Sequence, residues 1–293
     1  MLNNIKKIMA KRYFKINIVV IILFICTHCY AEKPQPPIVM AIHPYLNADD
    51  LKNRFTPLAN YIGKAINREI LVKVGRTYDE HLQAICHDEV DIAFIGPAPY
   101  IKLMSRNQNK HLLAKFSMQA QEGYYGHIVT RQDSKIKSLS DLIGKSFAFG
   151  DPNSTMSHLV PLYMLQEAAI IKEELGHSQF LYAHRNVAHA VLAGDFDAGA
   201  IKHEVFQEFS TKGLRELART PMIPSHLFIA GKHVPDELIS IIKEAMFSID
   251  QDPYGLYALK SIHKQLQALV PVKDSDYDQL RHILNQISSY QDI

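Results

Sequence analysis

The sequence predicts an α/β fold in two halves, and three features predict it. Short apolar runs alternate with segments whose apolar residues recur at helical spacing. That alternation is interrupted twice, at residues 119–126 and again around Pro221 and Pro224. At 293 residues the chain is long enough for two lobes of about 100–200 residues each.

The elements follow in order. A strand at 38–42 ends at His43-Pro44-Tyr45. Leu51, Phe55, Leu58, Ile62 and Ile66 then fall at helical spacing, which predicts an amphipathic helix packed on a sheet. A strand at 70–74, a helix near 79–87 and a strand at 90–95 come next. Gly96-Pro97-Ala98-Pro99 breaks that strand and opens a helix, since proline suits a first helical turn. Residues 111–118 predict another strand, and the alternation implies right-handed βαβ units in a mainly parallel sheet. Residues 119–126 read as the first crossover between lobes. A second run has strands at 127–130, 146–149, near 180–182 and 198–201, with helices at 139–143, from about Thr155, and at 186–193. Pro221 and Pro224 flank a second crossover, and 227–230 returns the chain to the first lobe. Helices near 236–247, 256–268 and 277–287 end it. Two lobes joined by two crossings make a clam-like receptor; one large doubly wound domain is the other arrangement this pattern allows.

Residues 1–31 read as a cleavable export signal. Lys6, Lys7, Lys11, Arg12 and Lys15 form a basic segment without an acid, and 18–25 is an apolar run too short to span a membrane. Cys29-Tyr30-Ala31 offers small residues for a signal peptidase, whereas Ile25 and His28 before the cysteines do not suit lipidation. Removal takes five cations and no anion from the formal +2, leaving −3. A mildly acidic chain carries no electrostatic footprint for nucleic acid. Cys86 is then the sole cysteine, so no internal disulfide forms, and its helical setting suggests a buried structural thiol.

Two turns can carry chemistry. Phe149-Gly150-Asp151-Pro152-Asn153-Ser154-Thr155-Met156-Ser157-His158 follows a strand and opens a helix. First-turn N–H groups lack intrahelical partners and the helix dipole is positive there, so these amides with Ser and Thr hydroxyls can hold an anion. Capping by Asn153 or Ser154 is the plain structural alternative. Residues 90–100 deliver a second strand end to a helix start, where Tyr100 is either a hydroxyl donor or a buried aromatic. In open α/β sheets ligands sit beyond the strands' carboxyl ends, where both turns belong.

Considered together, these features resemble the periplasmic phosphate/phosphite/phosphonate-binding proteins of ABC transporters. The resemblance runs through the Gly-Pro–Tyr turn at 90–100, Leu139-Ser-Asp-Leu-Ile-Gly-Lys145, and 149–157. It continues in His184, Gly194-Asp-Phe-Asp197, Pro224-Ser-His226 and Pro271-Val-Lys-Asp-Ser-Asp-Tyr277. It implies a two-lobed type II fold with a C-terminal helical tail: lobe one from 32–122 and 224–293, lobe two from 123–223. It implies an oxyanion site in the cleft, with Ser154 and Thr155 donating from lobe two, Tyr100 donating from lobe one with Tyr45 lining the same cleft, and His184 near the ligand oxygens. Where the family often has Ser-Thr-Ser-Gly, this chain has Met156, and Ser157 is the candidate to restore the third hydroxyl. Glu204 matches an acidic place that faces the amine of aminoalkylphosphonates in such proteins; facing solvent, it would leave phosphate or phosphite as the ligand. Lys202 is a weaker candidate for anion contact. The implied partners are a small oxyanion and an inner-membrane ABC permease, with the protein a monomer or weak dimer in the periplasm.

Other chemistries lack their residues. Fifteen histidines invite a metal, but no His-Glu-x-x-His or Cys-x-x-Cys occurs, so no metal or cofactor is expected. No Gly-x-Ser-x-Gly or phosphate-binding glycine loop is present, so no enzyme is expected. A periplasmic sensor for a membrane kinase and an exported phosphate-ester or phosphonate hydrolase are the alternatives to a transport role.

Overall fold

A computed structural model describes residues 35–106, 110–118 and 123–287. The expected export signal at 1–31 lies outside the described residues, as do residues 119–122 of the first crossover. Among the described residues, no helix is long and apolar enough to cross a membrane.

Strands β1 (Ile38–Ile42), β2 (Ile70–Val74), β3 (Ile92–Ile95), β4 (His111–Met118), β10 (Leu227–Ala230) and β11 (Leu266–Val270) form one sheet, in the order β11-β4-β10-β3-β1-β2. Strands β5 (Gly126–Arg131), β6 (Ser146–Phe149), β7 (His177–Phe180), β8 (Ala198–Lys202) and β9 (Leu214–Arg219) form a second, in the order β7-β6-β8-β5-β9. Each sheet is the centre of an α/β lobe. The sheets are mixed, not mainly parallel: β1 pairs in parallel with β2 and β3, and β6 with β7 and β8, but the other five pairings are antiparallel. The reversal has a topological cause. Strand β10 enters the first sheet from the second lobe and wedges, antiparallel to both, between β3 and β4.

Local chemistry accounts for most helices. Helix α1 (Ala48–Ala65) is capped by the Asn47 side chain, which accepts from the Asp49 and Asp50 amides, and it buries Leu51, Phe55, Leu58 and Ile62. Helix α2 (Tyr78–Cys86) is capped by Thr77. Cys86 is half-buried at its end, less enclosed than a core thiol. Helix α3 (Pro97–Ser105) opens with proline, as the sequence suggests. In the second lobe Thr155–Leu159 is a π turn that runs into α4 (Val160–Glu167). Pro161 has no N–H to give back to Ser157, and the Ser157 carbonyl instead accepts from Gly150 at 2.8 Å, tying the loop to its helix. Helix α5 (His184–Ala193) ends on Gly194 at φ 87°, in the left-handed region glycine tolerates.

Three segments depart from expectation. Helix α6 (His203–Ser210) and β9 fill residues with no assigned element. Strand β9 is an edge strand rich in Arg and Glu, so it reads as solvated chain. The third is 256–268, where the helix α8 (Pro253–Ile262) stops early and β11 follows. The edge of the long strand β4 captures Leu266–Val270, and the His263 ring turns the chain by accepting from the Gln265 amide at 3.2 Å. Helix α7 (Asp236–Phe247) and helix α9 (Asp278–Gln286) complete the fold, with α9 packed on both α3 and α4 and so on both lobes.

The crossovers run side by side. Tyr124 and Ile223 exchange two backbone hydrogen bonds, of 2.8 and 2.9 Å, as an isolated antiparallel bridge. Gly123 permits that approach, because a Cβ there would stand 2.9 Å from the Ile223 carbonyl carbon.

Candidate functional site

A cavity of about 110 Å³ lies between the sheets, beside the paired crossovers. The loop after β6 supplies Ser154, Thr155 and Met156 to its wall. Asp151 shapes that loop: its side chain accepts from the Asn153 amide at 2.8 Å and its carbonyl from the Ser154 amide at 2.9 Å. Thr155 and Met156 then begin the π turn, where the first N–H groups have no preceding carbonyl to bond.

The opposite wall comes from the first lobe and the crossover, and it touches this loop directly. The Tyr78 hydroxyl faces the Ser154 side chain, and that of Tyr124 in the crossover faces Thr155. The Ala98 amide donates to Thr155 Oγ1 at 3.1 Å. This is the amide the α3 start has to give, since Pro97 and Pro99 carry none. Outside the cavity Lys102 donates to Asn153 Oδ1 at 2.8 Å, a further tie between lobes.

Two expected donors are placed elsewhere. Tyr100 is fully buried, gives its hydroxyl to Asp274 Oδ1 at 2.6 Å and packs its ring on Tyr277, so it braces the C-terminal segment and does not line the cavity. The reason is helical phase: Tyr100 lies on the α3 face turned toward α9. Ser157 is also fully buried and donates to the Ala200 carbonyl, which welds the π turn to β8. It does not replace the hydroxyl lost at Met156, whose own side chain packs under the cavity and whose sulfur accepts from Thr220 Oγ1 at 3.4 Å.

Tyr45, His184 and Glu204 do line the cavity, and Lys202 with them. The Lys202 ammonium is 2.5 Å from Glu204 Oε2 and 4.2 Å above the centre of the Tyr45 ring. The other Glu204 oxygen, Oε1, is 2.8 Å from His263 Nε2, across the cleft. Burial alone would raise the Glu204 pKa, but Lys202 and His263 outweigh it and hold the carboxyl well below the usual range. Glu204 therefore faces the cavity with both oxygens engaged. An outer cleft of about 440 Å³ carries Arg54, Arg185, Lys260 and Lys264 and shares Glu204, Ile262, His263 and Gln265 with the inner cavity.

Two imidazoles are the feature that sequence reasoning missed. His43 and His226 line the cavity together with His184, brought from three distant segments. His184 Nδ1 accepts from the Lys202 amide at 3.1 Å, which leaves its proton on Nε2 as a donor. Burial, reinforced by Lys202, pushes His184 and His226 down to about 3, and burial lowers His43 well below its usual value. His81 and His158, also buried, fall to about 4. A histidine whose folded pKa is depressed stays neutral while the unfolded chain takes up protons below about pH 6.5. Stability conferred by these neutral rings is complete above that value and falls as the pH drops toward 4. Urea denaturation is expected to show a midpoint that is level above about pH 7 and declines steadily between about pH 6.5 and 4.5. A level midpoint across that window would mean the rings titrate freely. Among the described residues no group of His, Cys, Asp and Glu is arranged to hold a metal ion.

Residues 40–277 match the family of ABC transporter, phosphonate, periplasmic substrate-binding proteins. The chain belongs to that family. This substrate-binding protein is 26% identical over 284 residues to the phosphate-import protein PhnD of Mycolicibacterium smegmatis, covering 88% of each. It is 24% identical over 221 residues to the phosphonates-binding periplasmic protein of Escherichia coli, covering 71% of this chain and 64% of that one. Its fold matches a binding protein component of an ABC phosphonate transporter from Pseudomonas aeruginosa, with TM-score 0.79 at 20% identity over 88% of each chain. It also matches PhnD1 from Prochlorococcus marinus, solved in complex with methylphosphonate, with TM-score 0.76 at 18% identity over 85% of this chain and 97% of that one. The family consists of periplasmic solute binders, not enzymes, whose partners are a small ligand and a membrane permease.

Proposed function

We propose that this substrate-binding protein captures a phosphonate, phosphite or phosphate oxyanion between its lobes and delivers it to its permease. The observation that carries this reading is the convergence of Ser154 and Thr155, at the first turn after β6, on a cavity whose far wall brings Tyr78 and Tyr124 to face them. Neutral dipoles of this kind stabilise an anion without an unpaired cation. Tyr45 and His184 complete the proposed set, with His184 giving its Nε2 proton. Donors from both lobes satisfy the anion only when the cleft is shut, so binding drives closure.

Glu204 selects against an amine in this reading. Both its oxygens are held, and the Lys202 ammonium already sits where a ligand's cationic tail would go. Methylphosphonate, phosphite and phosphate are therefore favoured over 2-aminoethylphosphonate. The mature chain begins after Ala31, is not lipidated, and acts as a monomer or weak dimer, with lobe one formed by 32–122 and 224–293 and lobe two by 123–223. Transport is preferred over sensing because the family is that of ABC-transporter substrate-binding proteins, and over hydrolysis because the Ser154 and Thr155 hydroxyls accept from backbone amides and face tyrosines rather than a general base.

Calorimetry on residues 32–293 with phosphate, phosphite, methylphosphonate, 2-aminoethylphosphonate and sulfate tests the assignment. At least one of the first three is expected to bind with a Kd of about 1 μM or tighter, and 2-aminoethylphosphonate at least about tenfold more weakly than methylphosphonate. Silence from all three would remove the oxyanion reading.

A further inference from the structure

The cavity contains hydrogen-bond acceptors as well as donors, and these sort the oxyanions it can take. Among the described residues the one carboxylate lining it, that of Glu204, has both oxygens engaged by Lys202 and His263. His184 spends its lone pair on the Lys202 amide. His226 differs. It stacks on Phe94 with ring centres 5.3 Å apart and interplanar angle 15°, meets the edge of His43 at 5.0 Å, and lines the cavity. No hydrogen bond reaches its ring from any described residue, and both nitrogens of the fully buried His43 behind it are likewise without partners. The charged and titratable groups facing His226 are His43 and Tyr45 from the loop after β1, Tyr124 from the crossover, His184 from α5, Lys202 from the end of β8 and Glu204 from α6. Burial, reinforced by the Lys202 ammonium, disfavours a positive charge on the ring, so the imidazole meets its ligand neutral, with one N–H and one lone pair.

We infer that His226, backed by His43, is a specificity-determining residue that accepts a hydrogen bond from a ligand P–OH, so that the site takes proton-bearing oxyanions and rejects sulfonates and sulfate. This deepens the oxyanion reading above and rests on it. A phosphonate monoanion brings two acceptor oxygens for Ser154, Thr155 and His184 and one O–H for His226. A sulfonate has the same shape and charge but only acceptors, and it leaves a buried lone pair unmatched on the imidazole. A site built around a hydrogen bond rejects the analogue that lacks it far more strongly than a pocket that reads shape alone.

The isosteric pair methylphosphonate and methanesulfonate provides the test, by calorimetry on the mature chain. Wild type is expected to favour methylphosphonate by about a hundredfold or more. His226→Phe, which keeps a ring on Phe94 but removes the acceptor, should narrow that ratio to less than about tenfold, and His226→Asn, which restores an acceptor and a donor, should hold more of it. At about pH 8.5, where the free phosphonate has lost its second proton, binding should take up close to one proton per ligand, read as heat that varies with buffer ionisation enthalpy. Comparable wild-type affinity for the two ligands, or no proton uptake at high pH, overturns the inference and leaves the oxyanion reading standing. If neither methylphosphonate, phosphite nor phosphate binds, both fall together. The wild-type ratio decides the matter even if His226→Phe does not fold.

Discussion

Thr155→Ala is expected to weaken oxyanion binding by about 10- to 150-fold, the equivalent of one hydrogen bond to a charged group, about 1.5–3 kcal/mol. Thr155 stands where the lobes meet: it lines the cavity, accepts from Ala98 at 3.1 Å and faces Tyr124. Its hydroxyl serves the ligand and the closed cleft together. The variant leaves the Ala98 amide without its acceptor, so the empty protein should also lose about 1–3 kcal/mol of unfolding free energy. Thr155→Ser keeps the hydroxyl and should keep both properties within about threefold in Kd. Calorimetry and urea denaturation read the two effects separately. An alanine variant that binds as tightly as wild type would place the anion elsewhere.

The second large effect concerns charge. Lys202→Met removes the ammonium and leaves the Glu204 carboxylate facing the cavity with His263 as its remaining partner. Breaking a pair buried on both sides costs about 3–5 kcal/mol. The Glu204 side chain is 35% exposed, against 12% for Lys202, so solvent screens part of that cost. A loss near 2 kcal/mol of unfolding free energy is the expected result, and methylphosphonate should bind at least about tenfold more weakly because the carboxylate left at the cavity repels an anion. The same change uncovers an ammonium box made of the Tyr45 ring and the Glu204 carboxylate, so 2-aminoethylphosphonate should lose little or even gain. The double variant Lys202→Met/Glu204→Gln should recover part of the methylphosphonate affinity and none of the aminophosphonate preference. If the ratio of the two ligands does not move in Lys202→Met, the lysine does not guard that box.

Much of the fold is legible from local pattern. Leu51, Phe55, Leu58 and Ile62 announce α1, and the strand at 146–149 with the loop behind it is visible because a strand end followed by Asp, Asn, Ser and Thr has few conformations open to it. Strand β11 is not legible, since Ile262, Leu266 and Leu269 also satisfy a helical period and only the edge of β4 breaks the tie. Of the site, Ser154, Thr155, Tyr45, His184 and Glu204 were within reach of motif resemblance, and the structure brings all five to one cavity. Tyr100 and Ser157 were equally plausible on chemistry, but residue type says nothing about which way a helix is turned.

The sequence by itself determined most of the strands and helices and which loop opens a helix beside Ser and Thr, because those properties depend on neighbours a few residues apart. Tertiary structure alone decided the direction of the strands, the capture of Glu204 by Lys202 and His263, and the meeting of His43, His184 and His226. These depend on contacts between residues far apart in the chain. Such partners leave no periodic trace, and only the closing of two lobes around a shared cavity selects them.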